Sequence, residues 1–463
     1  MTQPRAAAVA PPDSEAPADA AAPPDRPADG ARLDAEIVAA DHRLVFHSWS
    51  AQAHLPELVV AGGRGSTLWN HAGQTWIDFS SQLVNANIGY QHPRVVEAIK
   101  AQAETLATIS PATANQARAE AAAAILRHTP PGLTKIFFTN AGADAVENAI
   151  RLARLHTGRD KVISFYRSYH GNTGAAINAT GDWRRVANEF ACGHRHVFGP
   201  YLYRSEYWAT SPEQESERAL RFLERTIQAE GPATVAAILI ETIPGTAGVL
   251  VPPPGYLAGV RQIADRYGLV LILDEVMAGF GRTGAWFALD HWGVKPDLMT
   301  FAKGVNSGYV PAGGVAISQD IAAGFDERVF PGGLTYSGHP LAMAAIAATI
   351  AAMEDEAVVE NAARVGAEVL GPGLAQIAAE ARFGGEARGI GVFWALELVA
   401  DKDTRQPLGA PAMAEVKRLC LERGLMPFTA ENRVHVAPPC VITPAEARAG
   451  LDILAGVLDQ VAA

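Results

Sequence analysis

The feature that most constrains the fold of this chain is a series of short, almost wholly apolar runs separated by amphipathic segments. These runs cover residues 134–140, 161–166, 235–242, 269–276 and 297–303. Such runs are typical of strands that are buried on both faces of a sheet. Residues 143–158 and 255–268 carry apolar residues at helical spacing and end at glycine. The alternation of strands and helices predicts an α/β fold with a mostly parallel sheet.

Length and composition allow this sheet to form one domain of several. The chain has 463 residues, 49% of them hydrophobic, which is enough for more than one domain. We predict a disordered Ala- and Pro-rich tail (1–30), an N-terminal segment that packs with the small domain (31–85), a large domain (86–340) and a small α+β domain (341–463). The pattern predicts a hairpin turn at 70–73, strands at 386–399 and 432–443, and helices at 412–423 and 444–461.

Charge and cysteine content exclude several classes of protein. The formal net charge of -11 argues against nucleic-acid binding, which requires clustered Lys and Arg. No apolar run reaches the roughly 18 residues of a membrane span. Cys192, Cys420 and Cys440 are widely spaced, and we expect buried, reduced thiols in a cytoplasmic protein. No metal site is predicted.

Polar residues end four of the predicted strands and are therefore candidates for a ligand site. They are Asn140, Glu241, Asp274 and Lys303. In open α/β sheets, ligands bind beyond the carboxyl ends of the strands. A lysine leaving a buried strand is a candidate Schiff-base nucleophile, because a partly desolvated amine has a lowered pKa. The alternative is a salt bridge between Lys303 and Asp274.

A phosphate site and an aromatic residue accompany these two side chains. In "FFTNAGADAVENA", the amides of Gly142 and Ala143 lie at the start of a predicted helix, where they can hold an anion. The alternative is an ordinary helix start capped by Asn140. "SYHGNT" places Tyr169 after the next predicted strand, although a lone tyrosine is more often a packing residue. Phosphate cradle, aromatic platform, carboxylate and lysine together match the needs of pyridoxal phosphate.

Several motifs in order give the chain a family resemblance over about residues 40 to 460. They are "NAGADAVENAIRLAR", "SYHGNT", "ETIPGTAGV", "LILDEVMAGFGRTG", "TFAKGVNSGYVPAGGV", "GLTYSGHP", "EARGIGVFWALEL" and "RVHVAPP". The chain resembles the class III pyridoxal-phosphate-dependent aminotransferases of fold type I. Within that family it looks most like the taurine–pyruvate and ω-amino acid–pyruvate branch.

The resemblance implies a role for each matching residue. Lys303 would form a Schiff base with the cofactor, and Asp274 would pair with the protonated ring nitrogen. The other cofactor contacts implied are Gly142, Ala143, Tyr169, His170, Glu241, Val276 and Thr335. Tyr169 and Val276 would cover the two ring faces, and Thr335 would reach the phosphate of the neighbouring subunit of a homodimer or dimer of dimers. Ala143 departs from the family, which usually has Ser or Thr there, so a hydroxyl contact to phosphate would be absent.

The substrate residues are less clearly marked. The two positions where the family usually carries a substrate-binding arginine hold Phe428 and His435. Arg433 lies two residues before His435 and shares its face of a strand, so the two could form a displaced anion clamp. The alternative is a surface arginine on an edge strand. By resemblance, the donor side of the pocket would be walled by Trp49, Leu83, Val84 and Tyr169.

The resemblance implies an enzyme that moves an amino group from a primary amine or ω-amino acid, such as taurine or β-alanine, to a keto acid, with pyruvate as the expected acceptor. An aryl or alkyl amine donor, or a related racemase, aminomutase or phospho-lyase reaction, stays open.

Residues 279–284 also match the G-x-G-x-x-G pattern of NAD-dependent oxidoreductases. That match is weak, because five residues separate the glycines from the strand and no clear helix follows. A non-catalytic scaffold is a further alternative, but it would not require Asp274, Lys303, Tyr169 and a phosphate cradle in one chain.

Overall fold

The fold is described from a computed structural model, which covers residues 29–188 and 192–461. Apart from Asp29 and Gly30, the tail predicted at 1–30 lies outside the described residues. The helices are α1 Gly30–Leu44, α2 Ser81–Val84, α3 Pro93–Thr105, α4 Gln116–Leu126, α5 Gly142–Thr157, α6 Gly174–Ala179, α7 Pro212–Glu230, α8 Tyr256–Tyr267, α9 Gln319–Ala323, α10 Pro340–Asp355, α11 Val358–Val365, α12 Gly371–Glu380, α13 Ala410–Glu422 and α14 Pro444–Leu458. The strands are β1 Gly62–Arg64, β2 Thr67–Trp69, β3 Thr75–Asp78, β4 Leu133–Thr139, β5 Lys161–Phe165, β6 His194–Val197, β7 Val235–Glu241, β8 Val270–Asp274, β9 Leu298–Phe301, β10 Gly313–Ser318, β11 Gly384–Ile390, β12 Phe393–Asp401, β13 Gln406–Pro407, β14 Leu425–Met426, β15 Phe428–Ala430 and β16 Arg433–Val436.

The central sheet has seven strands in the order β4-β10-β9-β8-β7-β5-β6. β10 runs antiparallel to both of its neighbours, and the other pairings in the sheet are parallel. All residues of β7 and β8 are buried, which explains why their sequences are almost wholly apolar. The predicted α/β fold with a mostly parallel sheet is confirmed.

Apolar side chains leave this sheet alternately towards two layers of helices. In β7, Ile238 belongs to the core cluster that includes residues of α4, α7, α8 and α10. The next residue, Leu239, belongs to a second cluster that includes residues of α5 and α6. Because successive strand residues point to opposite faces, a continuous apolar run supplies both layers.

The N-terminal segment pairs with the end of the chain. β2 and β3 form the predicted hairpin, and β3 also pairs in parallel with β14. The indole Nε1 of Trp76 donates a hydrogen bond of 2.9 Å to the carbonyl of Leu421. These contacts join the N-terminal segment to the C-terminal part, and the division into domains stays a prediction.

The C-terminal sheet differs from the sequence prediction in two places. Residues 386–399 were expected to form one strand, but β11 and β12 form an antiparallel hairpin that turns at Gly391, whose φ is +58°. Residues 432–443 were also expected to be a strand, but β16 ends at Val436. The prolines at 438 and 439 explain the early end, because proline cannot donate to a sheet.

Two further findings concern the predictions made from hydropathy and from the cysteines. No helix in residues 29–188 and 192–461 is long and apolar enough to cross a membrane. Cys420 and Cys440 are buried as expected, but Cys192 is exposed, which corrects the prediction for that residue.

Candidate active site

Asp274 is the last residue of β8 and the centre of a buried hydrogen-bond network. Its Oδ1 accepts hydrogen bonds of 3.0 Å from the Thr300 hydroxyl and from the Val276 amide. Its Oδ2 accepts a hydrogen bond of 2.7 Å from Nδ1 of His170. Three donors therefore fix the plane of this carboxylate at the carboxyl end of the sheet.

His170 and Glu241 complete the network around Asp274. Burial opposes a charge on His170, but the hydrogen bond to Asp274 and the charges of Asp274 and Glu241 raise the pKa of His170. Glu241 accepts hydrogen bonds from the amides of Tyr169, at 3.0 Å, and Gly245, at 2.8 Å. Burial raises the pKa of Glu241. Glu241 thus fixes the backbone position of Tyr169.

Lys303 follows β9 by two residues, at the same sheet edge. Burial lowers the pKa of the Lys303 amine, and this outweighs the carboxylates of Glu241 and Asp274, which favour the charged form. The residue has a φ of +45°, in the left-handed region that non-glycine residues seldom adopt. Such strain is common at functional sites. A lowered pKa suits an amine that acts as a nucleophile and as a base.

The start of α5 meets the requirements of an anion site. Its N-cap residue, Ala141, makes no side-chain hydrogen bond to the helix, so the alternative of a cap by Asn140 does not apply. The amides of Gly142 and Ala143 therefore stand at a helix N-terminus, where a phosphate binds well. A Cβ on Gly142 would lie 2.8 Å from Cγ1 of Val276, which places the Val276 side chain over this helix start.

A pocket of about 940 Å³ joins Lys303 to most of the predicted substrate residues. Of those residues, Trp49, Leu83, Tyr169, Phe428 and Arg433 line it. Its wall also contains residues that the sequence patterns did not single out, namely Arg167, Asp182, Trp183, Arg184, Tyr201, Arg204, Thr246, Met277 and Glu431. A pocket of this size is typical of small-molecule sites.

Tyr169 lies between two large neighbours in this pocket. The Trp49 ring meets it edge to face, with ring centroids 6.4 Å apart. The Arg184 guanidinium lies 3.8 Å from the centroid of its ring and pairs with Asp182. Trp49 is exposed and has a φ of +54°, so it is not a core residue. The adjacent arginines of "GDWRR" were the available sequence signal for Arg184.

Arg433 and His435 do not form the expected pair of cations. The His435 ring is buried, stacks on Phe428 with centroids 4.7 Å apart, and donates from Nε2 to the carbonyl of Gly245 at 3.1 Å. Burial lowers the pKa of His435 to about 3, so the ring is neutral near pH 7. Of these two residues, only Arg433, whose side chain is 11% exposed, remains a candidate anion contact.

Other predicted residues are not part of this pocket wall. In the part of the chain that the structure describes, they are the predicted substrate residues Val84 and His435, and the predicted cofactor residues Gly142, Ala143, His170, Glu241, Asp274, Val276 and Thr335. Val84 is fully buried in an apolar cluster with Met277 and Phe393. Thr335 is exposed in the loop before α10. Its contact to another subunit therefore stays a prediction.

The glycine-rich segment 279–284 links distant parts of the chain through Arg282. Arg282, within it, is fully buried and donates to Asn87 Oδ1 at 2.7 Å, to Ser81 Oγ at 3.1 Å and to the carbonyl of Pro438. It therefore fastens the N-terminal segment to the C-terminal part. The dinucleotide-binding pattern requires its glycines to open a helix, and residues 279–284 do not open one. The structure therefore does not support a dinucleotide site here.

The residues at the sheet edge fit pyridoxal phosphate. The buried Nε2 of His170 has no partner among the described residues, the start of α5 lacks a side-chain cap, and the Lys303 amine has a lowered pKa. Asp274 would hold the ring nitrogen, Tyr169 and Val276 the ring faces, and Gly142 with Ala143 the phosphate. This combination defines the class of pyridoxal-phosphate-dependent enzymes with fold type I.

The chain belongs to the class-III aminotransferase family, whose model matches residues 49–458. The taurine–pyruvate aminotransferase of Rhodobacter capsulatus is 33% identical over 86% of this chain and 90% of its own length. The putrescine–pyruvate aminotransferase of Pseudomonas aeruginosa is 33% identical over 92% of this chain and 96% of its own length. A solved taurine:2-oxoglutarate aminotransferase from Bifidobacterium kashiwanohense, in complex with pyridoxal phosphate and glutamate, is 40% identical with a TM-score of 0.89, covering 92% of this chain and 97% of that chain. The protein is a pyridoxal-phosphate-dependent aminotransferase.

Proposed function

We propose that the protein transfers an amino group from a terminal primary amine that carries a short acidic arm, such as taurine or β-alanine, to pyruvate. The observation that carries this proposal is the single pocket of about 940 Å³ that contains both Lys303 and Arg433. The lysine supplies the reactive amine, and the arginine supplies a cation for a sulfonate or carboxylate. The names of the taurine aminotransferases among the relatives support the same substrate class.

The residues of the site divide the chemistry between them. Bound pyridoxal phosphate supplies an aldehyde that condenses with amines and a ring that accepts electrons. The Asp274 carboxylate, which three donors hold in place, would pair with the ring nitrogen and stabilise its protonated form. The Lys303 amine would hold the cofactor and would serve as the base and acid that moves the proton at the substrate carbon. Donor and acceptor then use the site in turn, in a ping-pong order.

An uncharged aryl or alkyl amine is the second candidate donor. Trp49, Leu83 and Phe428 give the pocket wall an apolar surface that suits such a donor. A racemase, aminomutase or phospho-lyase reaction would use the same lysine but would not require the cofactor to return from its amine form with a keto acid.

A donor-by-acceptor panel tests the proposal. Wild-type enzyme and Arg433→Ala are assayed with taurine, β-alanine and 1-phenylethylamine, each with pyruvate and with 2-oxoglutarate. We expect acidic donors to work best with pyruvate and to lose about tenfold or more in kcat/KM in Arg433→Ala, with a smaller change for 1-phenylethylamine. Unchanged kinetics with acidic donors in Arg433→Ala would refute the role of Arg433. Failure of a keto acid to restore the aldehyde form would refute transamination.

We also propose a cytoplasmic homodimer or dimer of dimers in which Thr335 reaches the phosphate of the neighbouring subunit. Exposure of Thr335 in its loop supports this assembly, as do the exposed apolar side chains of Leu44, Phe46 and Trp49. Light scattering of the purified protein tests the assembly. A monomer that retains full activity would contradict it.

A further inference from the structure

The residues that fit pyridoxal phosphate lie on different elements of the fold and form two halves of one site. The phosphate half consists of the amides of Gly142 and Ala143, at the start of α5. The ring half consists of Tyr169 and His170, in the loop between β5 and α6. A rigid phosphorylated ring fits both halves at once only when the distance between them is right. A residue that fixes this distance would therefore control how well the cofactor binds.

Hydrogen bonds fasten the ring half to the central sheet. The Tyr169 amide donates to Glu241, at the end of β7, at 3.0 Å. The His170 ring donates to Asp274, at the end of β8, at 2.7 Å, and the His170 amide donates to the Thr180 hydroxyl at 3.0 Å. These three bonds end on the strands and on the residue after α6. They fix the ring half but do not determine where α5, with the phosphate half, lies relative to it.

Glu147, in the second turn of α5, connects the phosphate half to the loop of the ring half. Its Oε2 accepts hydrogen bonds from the Thr173 hydroxyl at 2.7 Å, from the Ala175 amide at 2.7 Å and from the Ala176 amide at 3.1 Å. Hydrogen bonds to a carboxylate are about twice as strong as those between neutral groups. Three of them on one oxygen of a partly buried side chain therefore hold this loop firmly against α5.

The two halves also touch each other at a glycine. Gly171, directly after His170, has a φ of +130°, and a Cβ there would lie 2.5 Å from both Cα and Cβ of Ala143. The backbones of the two halves thus meet with no side chain between them, an approach that only glycine permits. The Thr173 hydroxyl also lies 3.4 Å from the Ala143 carbonyl. The glycine contact limits how close the halves can come, and the bonds to Glu147 keep them from separating.

We propose that Glu147 is a positioning residue that sets the spacing between the phosphate half and the ring half of the cofactor site. This role concerns cofactor binding and is independent of which amine and keto acid the enzyme uses. A ligand that joins two binding groups gains affinity from their correct spacing, and it loses that gain when the spacing varies. A ligand that occupies one half alone gains nothing from the spacing. Glu147 therefore acts on pyridoxal phosphate as a whole and not on its parts.

Binding of three ligands to the apoenzyme tests this role. They are inorganic phosphate, pyridoxal, which lacks the phosphate, and pyridoxal phosphate. Calorimetry measures the first affinity, and absorbance titration measures the other two. In Glu147→Ala we expect pyridoxal phosphate to bind about tenfold more weakly, while the affinities for inorganic phosphate and pyridoxal stay within about twofold of wild type. Glu147→Gln keeps an acceptor oxygen and should lose about threefold at most.

Matched variants separate spacing from stability. Ser164→Ala removes a hydrogen bond of 2.7 Å to the Ala179 carbonyl, which attaches the other end of α6 to β5, and should lower the melting temperature without changing the three affinities. Thr173→Val removes one donor to Glu147 and should weaken pyridoxal phosphate about two- to threefold, a second test should Glu147→Ala not fold. Equal affinity of wild type and Glu147→Ala for pyridoxal phosphate would overturn the inference. A parallel loss for all three ligands would also overturn it, because it indicates general loosening. A parallel gain for phosphate and pyridoxal phosphate would do the same, because it indicates only the removal of a repelling charge.

Discussion

At the scale of single residues, this site is built from strand ends. Asp274 and Lys303 could be predicted from the sequence because Asp274 ends one buried strand and Lys303 lies just after another, where a charged group is costly unless it has a role. Glu431 could not be found in this way, because its position depends on a two-residue turn and a positive φ. Arg433 was found, but its expected partner His435 is neutral because the fold buries it under Phe428.

Replacement of Lys303 tests the assignment of the reactive amine. We expect Lys303→Ala to abolish turnover and the visible absorbance of the lysine-bound cofactor, because no other residue supplies the amine. Stopped-flow spectra with amine donors measure both. The exposed Lys295→Ala serves as the control and should behave as wild type. Transamination retained in Lys303→Ala would contradict the assignment.

Ala143 offers a gain-of-function test. Ala143→Ser should bind pyridoxal phosphate about tenfold more tightly, because a hydroxyl-to-phosphate hydrogen bond contributes about 1.5 kcal/mol. The affinity is measured by titrating the apoenzyme. A Cβ on Gly171 would lie 2.5 Å from that of Ala143, so the larger Ala143→Thr should gain less. Ala175→Ser, on α6, is the control, and an equal gain there would argue against a phosphate contact.

His435 should make stability depend on pH. The pKa of His435 falls from 6.5 to about 3 on folding. Between these values the unfolded chain binds a proton that the folded chain does not, so stability is lost as pH falls from about 6.5 towards 3. His435→Gln, which keeps a donor for Gly245, should reduce the slope of unfolding free energy against pH by about 1.4 kcal/mol per unit. Urea titrations measure this, with the exposed His54→Gln as control. An unchanged slope in His435→Gln would contradict it.

At the scale of elements, the sequence predicted the buried sheet better than its periphery. β7 and β8 were recognisable because both faces are covered and every position before the final carboxylate is apolar. The hairpin of β11 and β12 was merged into one strand, because only the positive φ of Gly391 marks its turn. β10 was not assigned, and its antiparallel direction depends on contacts with β4 and β9 that no local pattern encodes.

The start of α5 carries its own prediction. Gly142→Ala places a methyl group 2.8 Å from Cγ1 of Val276, so that side chain must move from its place over the helix start. We expect pyridoxal phosphate to bind about tenfold more weakly, while the melting temperature of the apoenzyme changes little. Gly174→Ala is a matched control at the start of α6, where the nearest atom would be 3.8 Å away. Equal affinities in both variants would show that Val276 does not cover the cofactor.

At the scale of the whole molecule, Arg282 joins segments that are far apart in sequence. Its hydrogen bonds to Ser81, Asn87 and Pro438 link the N-terminal segment to the C-terminal part. The glycines around Arg282 matched a nucleotide-binding pattern. The fold shows that Arg282 is the residue of this segment that makes buried hydrogen bonds to Ser81, Asn87 and Pro438. Neither its burial nor its partners could be read from local sequence.

Loss of Arg282 should therefore affect stability more than chemistry. Arg282→Met should lower the unfolding free energy by about 3 kcal/mol, because it leaves buried acceptors without donors. Thermal and urea unfolding of the apoenzyme measure this. The exposed Arg364→Met should change stability by less than about 0.5 kcal/mol. A loss confined to kcat, with unchanged unfolding, would contradict the structural role.

The pairing of β3 with β14 has a consequence for biosynthesis. The hydrogen bond between Trp76 and Leu421 spans 345 residues, so the N-terminal hairpin cannot form this contact until those residues have been translated. Until then Trp76 lacks the part of its cover that Met426 and Leu421 supply, and exposed apolar surface favours aggregation of a nascent chain. The central sheet, from β4 to β10, is complete much earlier. The N-terminal hairpin can therefore complete its pairing only after the central sheet and β14 have both been synthesised.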